Sequence, residues 1–251
     1  MKTLNEIRLL FWRKVLETLR QPIWIITGLT TPLLYLALFA PLLNGMKAML
    51  GNGNVLNMFV PGILVLMAFG SGMGSGWIVI WELQTGVIER LRVTPASRFS
   101  LLMGSVLKDA AMFIPPAVLV ILLAAVFGFE LHWAGLAVLL VLLFLLTAVV
   151  SAISTSLGLI LKQIGSLAAV VTGFQLPLTL LAGVLLPLSI GPQWLQIIAH
   201  FNPMYYVVEA ARALAGGSLA NTQVLLAFLV MLPLSVIVFA WSTGVYRKAV
   251  A

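Results

Sequence analysis

The chain has 251 residues, of which 62% are hydrophobic and only 8% charged, against about 45–50% apolar and about 25% charged in an ordinary soluble domain. No soluble fold of this length has enough interior to hide so much apolar surface, so the composition excludes a water-soluble protein and implies lipid as the solvent. The net charge of +7 would suit nucleic acid only if the basic residues were not sorted to one side of a membrane, and the absence of cysteine excludes disulfides and thiolate metal sites.

In chain order, residues 2–20 read first as an amphipathic helix. Lys2, Glu6, Arg13, Glu17 and Arg20 fall in one polar stripe, with Leu4, Ile7, Phe11, Val15 and Leu19 opposite. Such a helix lies in the membrane interface with its apolar side in lipid, where Arg8 can snorkel; the alternative is a simple basic anchor. The first apolar run starts behind it and no small-residue cleavage site follows, so a cleavable signal peptide is not expected.

A span needs about 20 apolar residues to cross the hydrocarbon. Six stretches qualify: Ile23–Leu43, Met58–Ile80, Leu101–Phe127, Gly135–Leu161, Leu167–Leu186 and Val224–Tyr246. Helices are expected because they satisfy their own backbone in lipid. The six spans and short loops consume nearly the whole chain, so residues 1–251 read as a single membrane domain. Pro115–Pro116, Pro177 and Pro233 should kink their helices.

With the amino terminus inside, the inner segments hold Lys2, Arg8, Arg13, Lys14, Arg20, Arg90, Arg92, Arg98, Lys108, Lys162, Arg247 and Lys248, whereas the outer loops hold only Lys47 and Arg212. This asymmetry puts both termini in the cytoplasm and explains the net charge without nucleic acid. Between the last two spans, Pro187–Leu219 is apolar yet rich in Pro, Gly, Trp and Tyr, which suggests short or re-entrant helices at the outer face.

No catalytic, cofactor-binding or metal constellation is visible. His132 and His200 lack a second ligand at useful spacing, and no phosphate-binding P-loop is present. In the run Gly70–Gly76, the Gly70/Gly74 and Gly72/Gly76 pairs form overlapping GxxxG motifs, which suit close helix packing better than a ligand cradle. Glu82, Lys108 and Asp109 are expected at cytoplasmic span ends, which leaves no relay for a proton-coupled pump. Two uncharged stripes each share a helical face: Thr147, Ser151, Ser154 and Gly158 in span four, and Ala168, Thr172, Gln175, Thr179 and Ala182 in span five. Interhelical packing is the plain reading of both, and for Thr172, Gln175 and Thr179 the sharper one is a transport pathway.

Three blocks carry a resemblance. They are Phe59-Val60-Pro61-Gly62, then Glu82 with Gly86 to Arg98 (GVIERLRVTPASR), and finally Pro192 to Leu195, Phe201 to Tyr206 (FNPMYY) and Glu209 to Arg212. In this order and spacing the chain resembles the membrane subunits of ABC-2 type exporters, the group that includes daunorubicin-type drug exporters and polysaccharide exporters.

The resemblance implies an all-α permease, not an enzyme, in a bacterial plasma membrane. It would pair with a second copy or a paralogue and with two copies of a cytoplasmic ATP-binding subunit, which would hold the ATP and magnesium. It implies a coupling helix in residues 82–98, with Glu82, Glu89, Arg90, Leu91, Arg92, Thr94, Pro95 and Arg98 as the matching residues. The alternative there is a basic turn held by anionic lipid. It also implies a pathway at the subunit interface and an outer gate containing Pro187, Trp194, Asn202, Pro203, Tyr205 and Tyr206. The short outer loop Asn44–Asn57 departs from relatives with a large extracellular domain. An apolar pathway favours lipophilic or amphipathic cargo; a glycan exporter and a non-transporting scaffold or sensor are the rival readings.

Overall fold

The computed structural model describes residues 2–20, 30, 33–34, 37–38, 55–92, 97–184, 188 and 191–249. The first expected span, Ile23–Leu43, lies almost wholly outside the described residues. The described secondary structure is helical, in the order α1 (Lys2–Leu19), α2 (Val55–Met73), α3 (Ser75–Gln84), α4 (Val87–Arg92), α5 (Arg98–Val126), α6 (Trp133–Leu161), α7 (Ile164–Leu181), α8 (Gln193–Ala199), α9 (Pro203–Ala215) and α10 (Thr222–Ala249). Among these residues five helical stretches are long and apolar enough to cross a membrane, with α2 and α3 together forming one of them. The protein is therefore an all-α integral membrane protein.

The post of the bundle is α6, which packs against α2, α3, α5, α7, α9 and α10. Its small residues make this possible. A Cβ on Gly158 would come within 2.6 Å of the Gly76 carbonyl, and one on Gly72 within 2.8 Å of Val150. Backbone approach of this kind is what holds helices together where lipid removes the hydrophobic drive. Only one of the two expected GxxxG pairs is used in this way. Gly72 and Gly76 face α6, whereas a Cβ on Gly70 would meet nothing and one on Gly74 only its own preceding turn. The link from α6 to α7 is just Lys162 and Gln163, with Lys162 in the left-handed region at φ 55°, the usual way to end a helix abruptly.

The amino-terminal helix docks on protein. It packs along α5, where a Cβ on Gly104 would come within 2.8 Å of Leu10 Cβ. The apolar side expected to face lipid is thus divided: Val15 is buried and Ile7 and Leu10 pack on the core, while Leu4, Leu9, Trp12 and Leu19 stay exposed. Glu6 leaves the polar stripe's expected solvent to accept hydrogen bonds from Ser97 N (3.1 Å) and Ser100 Oγ (3.0 Å). Its charge sits at the amino end of α5, where the helix dipole favours an anion.

Candidate coupling and pathway elements

The hydrogen-bond ladder of the second span is interrupted locally. Gly74, itself right-handed helical at φ −57° and ψ −26°, separates α2 from α3 within one continuous 29-residue helical stretch. There Trp77 N turns to Gly74 O at 3.2 Å. Backbone groups released inside a membrane need new partners, and Ser154 of α6 supplies one for each side. Its hydroxyl donates to Met73 O (2.5 Å) and accepts from Gly76 N (3.1 Å). This serine of the span-four stripe holds the break together.

Beside the break is a buried polar knot. Ser75, the first residue of α3, donates to Asp109 Oδ2 at 2.5 Å, and Ser151 of α6 donates to the same oxygen at 2.6 Å. The two hydroxyl oxygens lie 2.8 Å apart. Lys108 pairs with Asp109 Oδ1, and both side chains are buried. The sequence reading is corrected here. Asp109 is not at the end of its span: it follows Arg98 by eleven residues, about 16 Å along α5, close to the midpoint of that 29-residue helix.

At the basic end, Glu82 of α3 is buried and bonded to Lys14 of α1 at 2.7 Å. It turns into the bundle rather than toward a soluble partner. Two turn residues, Thr85 and Gly86 (φ 70°), redirect the chain into α4. Helix α4 is a single short segment at whose surface Glu89 and Arg90 are exposed while Ile88 is buried. Leu91 and Arg92 complete α4, whereas Thr94 and Pro95 lie outside the described residues. Arg98 opens α5 behind Ser97, which caps that helix by accepting from Ser100 N at 3.1 Å.

At the opposite end, the first and third sequence blocks meet. Gly62 of α2 lies against the Val184 main chain just beyond α7. Arg212 of α9 donates to Gly183 O (2.6 Å) and Val184 O (3.4 Å) and pairs with Glu209 at 2.8 Å. A guanidinium at the carbonyl-rich end of α7 suits that helix's dipole. Asn202 caps α9 through Met204 N (3.1 Å) while its amide donates to Leu178 O of α7 at 2.8 Å. Pro203 occupies the first position of α9, where its missing donor costs nothing. Tyr205, Tyr206 and His200 form an aromatic cluster, with Tyr206 Oη donating to His200 O at 3.0 Å. Burial, then the nearby Glu209, pushes the Tyr205 phenol above its usual range, so it stays neutral. Trp194 of α8 is exposed, and Pro187 lies outside the described residues. His132, bonded to Ala215 O at 3.0 Å, ties the α5–α6 loop to the end of α9. No cluster of metal-ligating side chains occurs among the described residues.

Helix α7 is the least covered span. Only 11% of its most apolar stretch is buried, against 61% for α6, and its buried side chains are Leu167 and Val171. On the neighbouring face Thr172 is exposed and Gln175 and Thr179 are half-buried. The Thr179 hydroxyl donates to Gln175 O and Leu176 O of its own helix. One face of α7 is thus fastened to the bundle; the Thr172, Gln175 and Thr179 face is partly covered by the described residues, and Phe174, Leu176 and Leu180 are its most exposed large side chains.

The described residues form a helical bundle with five stretches long and apolar enough to span a membrane, which defines an integral membrane protein. Residues 5–215 match the ABC-2 type transporter family, and the chain belongs to that family. Similar proteins include the transport permease ycf38 of Cyanophora paradoxa, 34% identical over 84% of this chain and 74% of that protein. The ycf38 permease of Pyropia yezoensis is 28% identical over the same shares. The daunorubicin resistance ABC transporter permease protein DrrB1 of Streptomyces coeruleorubidus is 24% identical over 82% of this chain and 74% of its own length. The chain is accordingly a transport subunit rather than an enzyme.

Proposed function

We propose that the protein is the membrane half of an ATP-driven exporter, moving a lipophilic or amphipathic substrate outward along an interface between two permease subunits. The observation that carries this reading is α7, the least covered of the described spans, on whose polar face Thr172 is exposed and Gln175 and Thr179 are half-buried among the described residues. A second copy or a paralogue closing over that face would make a pathway with weak hydrogen-bonding capacity and no fixed charge, suited to cargo that is mostly apolar. The drug-resistance role in the name of the Streptomyces relative agrees with such cargo.

ATP and magnesium belong to two copies of a cytoplasmic ATP-binding subunit in this scheme. Exposed Glu89 and Arg90 on α4 offer that subunit charges of both signs, which give docking specificity more than raw affinity. Leu91, Arg92, Thr94, Pro95 and Arg98 extend the same segment. Buried Glu82 serves it indirectly by anchoring α3 to α1. The aromatic and Asn202 cluster, with Pro187, Trp194 and Pro203, forms the outer gate. The basic end faces the cytoplasm of a bacterial cell. Substrate exposure alternates because the ATP-bound engine prefers one permease conformation.

Single cysteines test this reading, because the native chain has none. At positions 172, 175 and 179, water-soluble thiol reagents should label the protein in an ATP-dependent manner in the assembled transporter. At Val171, which is buried, and Leu178, which packs against the core, labelling should remain low. Equal labelling of both sets, or none in any nucleotide state, would count against the pathway.

A further inference from the structure

Three features of the second span converge on one place. The helix's hydrogen-bond ladder is interrupted around Gly74, and the Ser75 hydroxyl that opens α3 is committed to Asp109 at 2.5 Å. Ser151 of α6 binds the same carboxylate oxygen at 2.6 Å. Asp109 is thus the point where three elements (α3, α5 and α6) are tied by side chains, immediately below the interruption in the ladder. From that point α3 runs as an uninterrupted ten-residue rod to Gln84. Its far end is held by the Glu82–Lys14 pair and leads through Thr85 and Gly86 into α4.

We infer that Asp109 is a positioning residue of the transport cycle, latching a lever formed by α3 and α4 whose pivot is Gly74. The assignment of α3 and α4 as a lever rests on the proposed ATPase-docking role of α4; the latch itself does not.

Physical chemistry favours a latch over a passive knot. Insertion of the Ser154 hydroxyl into the backbone ladder at Met73 and Gly76 makes this point easier to bend than a fully bonded helix. Interhelical side-chain hydrogen bonds in membranes are individually weak, so two hydroxyls on one carboxylate can be released and remade. Asp109 is not left bare on release, because Lys108 on its own helix stays paired with Oδ1. The two serine hydroxyls are within bonding distance of each other and can exchange partners. Part of the sheared surface is small-residue backbone, with Gly76 against Ser154 and Gly158, beside the buried Val79 and Ile80.

The test places spin labels on cysteines replacing Ile78 of α3 and Leu119 of α5, both of which are exposed. Distances are read on the full chain in phosphatidylethanolamine–phosphatidylglycerol nanodiscs. Without any ATPase, the parent should give one narrow distance population. The Ser75→Ala/Ser151→Ala double variant should add a second, displaced population. Ser156→Ala should not, because Ser156 is equally buried but donates to Ala152 O of its own helix at 2.8 Å. In the parent assembled with its ATP-binding subunit, ATP should populate the same displaced distance. A double variant indistinguishable from the parent overturns the latch, as does a Ser156→Ala shift of equal size. A displaced population in the variant that ATP never produces in the parent overturns its place in the transport cycle. Loss of the docking reading would instead appear as absent crosslinks between α4 and the ATPase, with the ATPase-free shift intact.

Discussion

Asp109→Ala should lower the stability of the folded protein by about 3–5 kcal/mol, the usual consequence of removing one member of a buried ion pair. The cause is what remains. Lys108 is buried and would lose its counter-ion, and a lone cation within a span is among the least tolerated groups in a membrane. Ser75 and Ser151 would lose their shared acceptor but could still bond each other across 2.8 Å, so most of the damage lies with Lys108. The Lys108→Met/Asp109→Leu double variant should therefore recover much of the loss, since replacing a buried pair by apolar residues is often neutral. Thermal unfolding in detergent and membrane abundance measure both variants. A single variant as stable as the parent, or a double variant no better than the single, would contradict this account of the knot.

Gly76→Val should be nearly as damaging, through shape rather than charge. Its first side-chain atom would lie 2.6 Å from both the carbonyl and the hydroxyl oxygen of Ser154, and 2.8 Å from Leu167 Cδ2. One of the nearest of these is backbone in the well-enclosed helix α6, which yields little. Overpacking of this kind costs about 1–3 kcal/mol and occasionally more, and the Ser154 bridge across the break would be displaced as well. Gly70→Val is the matched control. Gly70 lies in the same glycine run but has open space around its Cβ direction, so it should stay within about 0.5 kcal/mol of the parent. Unfolding of both variants in the same detergent decides the matter; equal losses would mean that α3 and α6 do not approach as described.

The contrast between the two glycines shows what the sequence could and could not convey. The GxxxG pattern announced close packing, but both overlapping pairs fit it equally. Choosing between them required knowing which side α6 occupies. The spans themselves were legible because their signal is local: each is a run of apolar residues, and the described helices α5, α6 and α10 begin and end within a few residues of the expected limits. The interruption at Gly74 was not legible, since glycine inside an apolar run does not by itself interrupt a helix. The polar knot was hidden for another reason. Ser75 and Ser151 lie 34 and 42 residues from Asp109, and no periodicity links them. Its position was misread as a span end even though the expected span, Leu101–Phe127, already enclosed Lys108 and Asp109, because charged residues are expected at the flanks of spans.

The same limit applies to the recognised blocks. Phe59 to Gly62 and Glu209 to Arg212 could be named from sequence, but not that they meet. Gly62 leaves room for the Val184 main chain, and Arg212 holds carbonyls of the same turn. Glu82 stood out as a charge beside the expected docking segment, yet its side chain turns inward to Lys14. Spacing put Thr172, Gln175 and Thr179 on one face of α7, where the described residues leave Thr172 exposed and half-cover Gln175 and Thr179.

The central claim is that this permease works only when driven by ATP bound to a partner. Its most direct test is co-reconstitution of the full chain with an ATP-binding subunit in liposomes, followed by transport of a lipophilic cation such as daunorubicin with ATP on the α4 side. The account predicts accumulation that requires ATP and magnesium, requires both subunits, and is abolished by Arg90→Glu on α4 while the complex components remain folded. Transport by the permease alone, driven by a proton or ion gradient and indifferent to ATP, would contradict it.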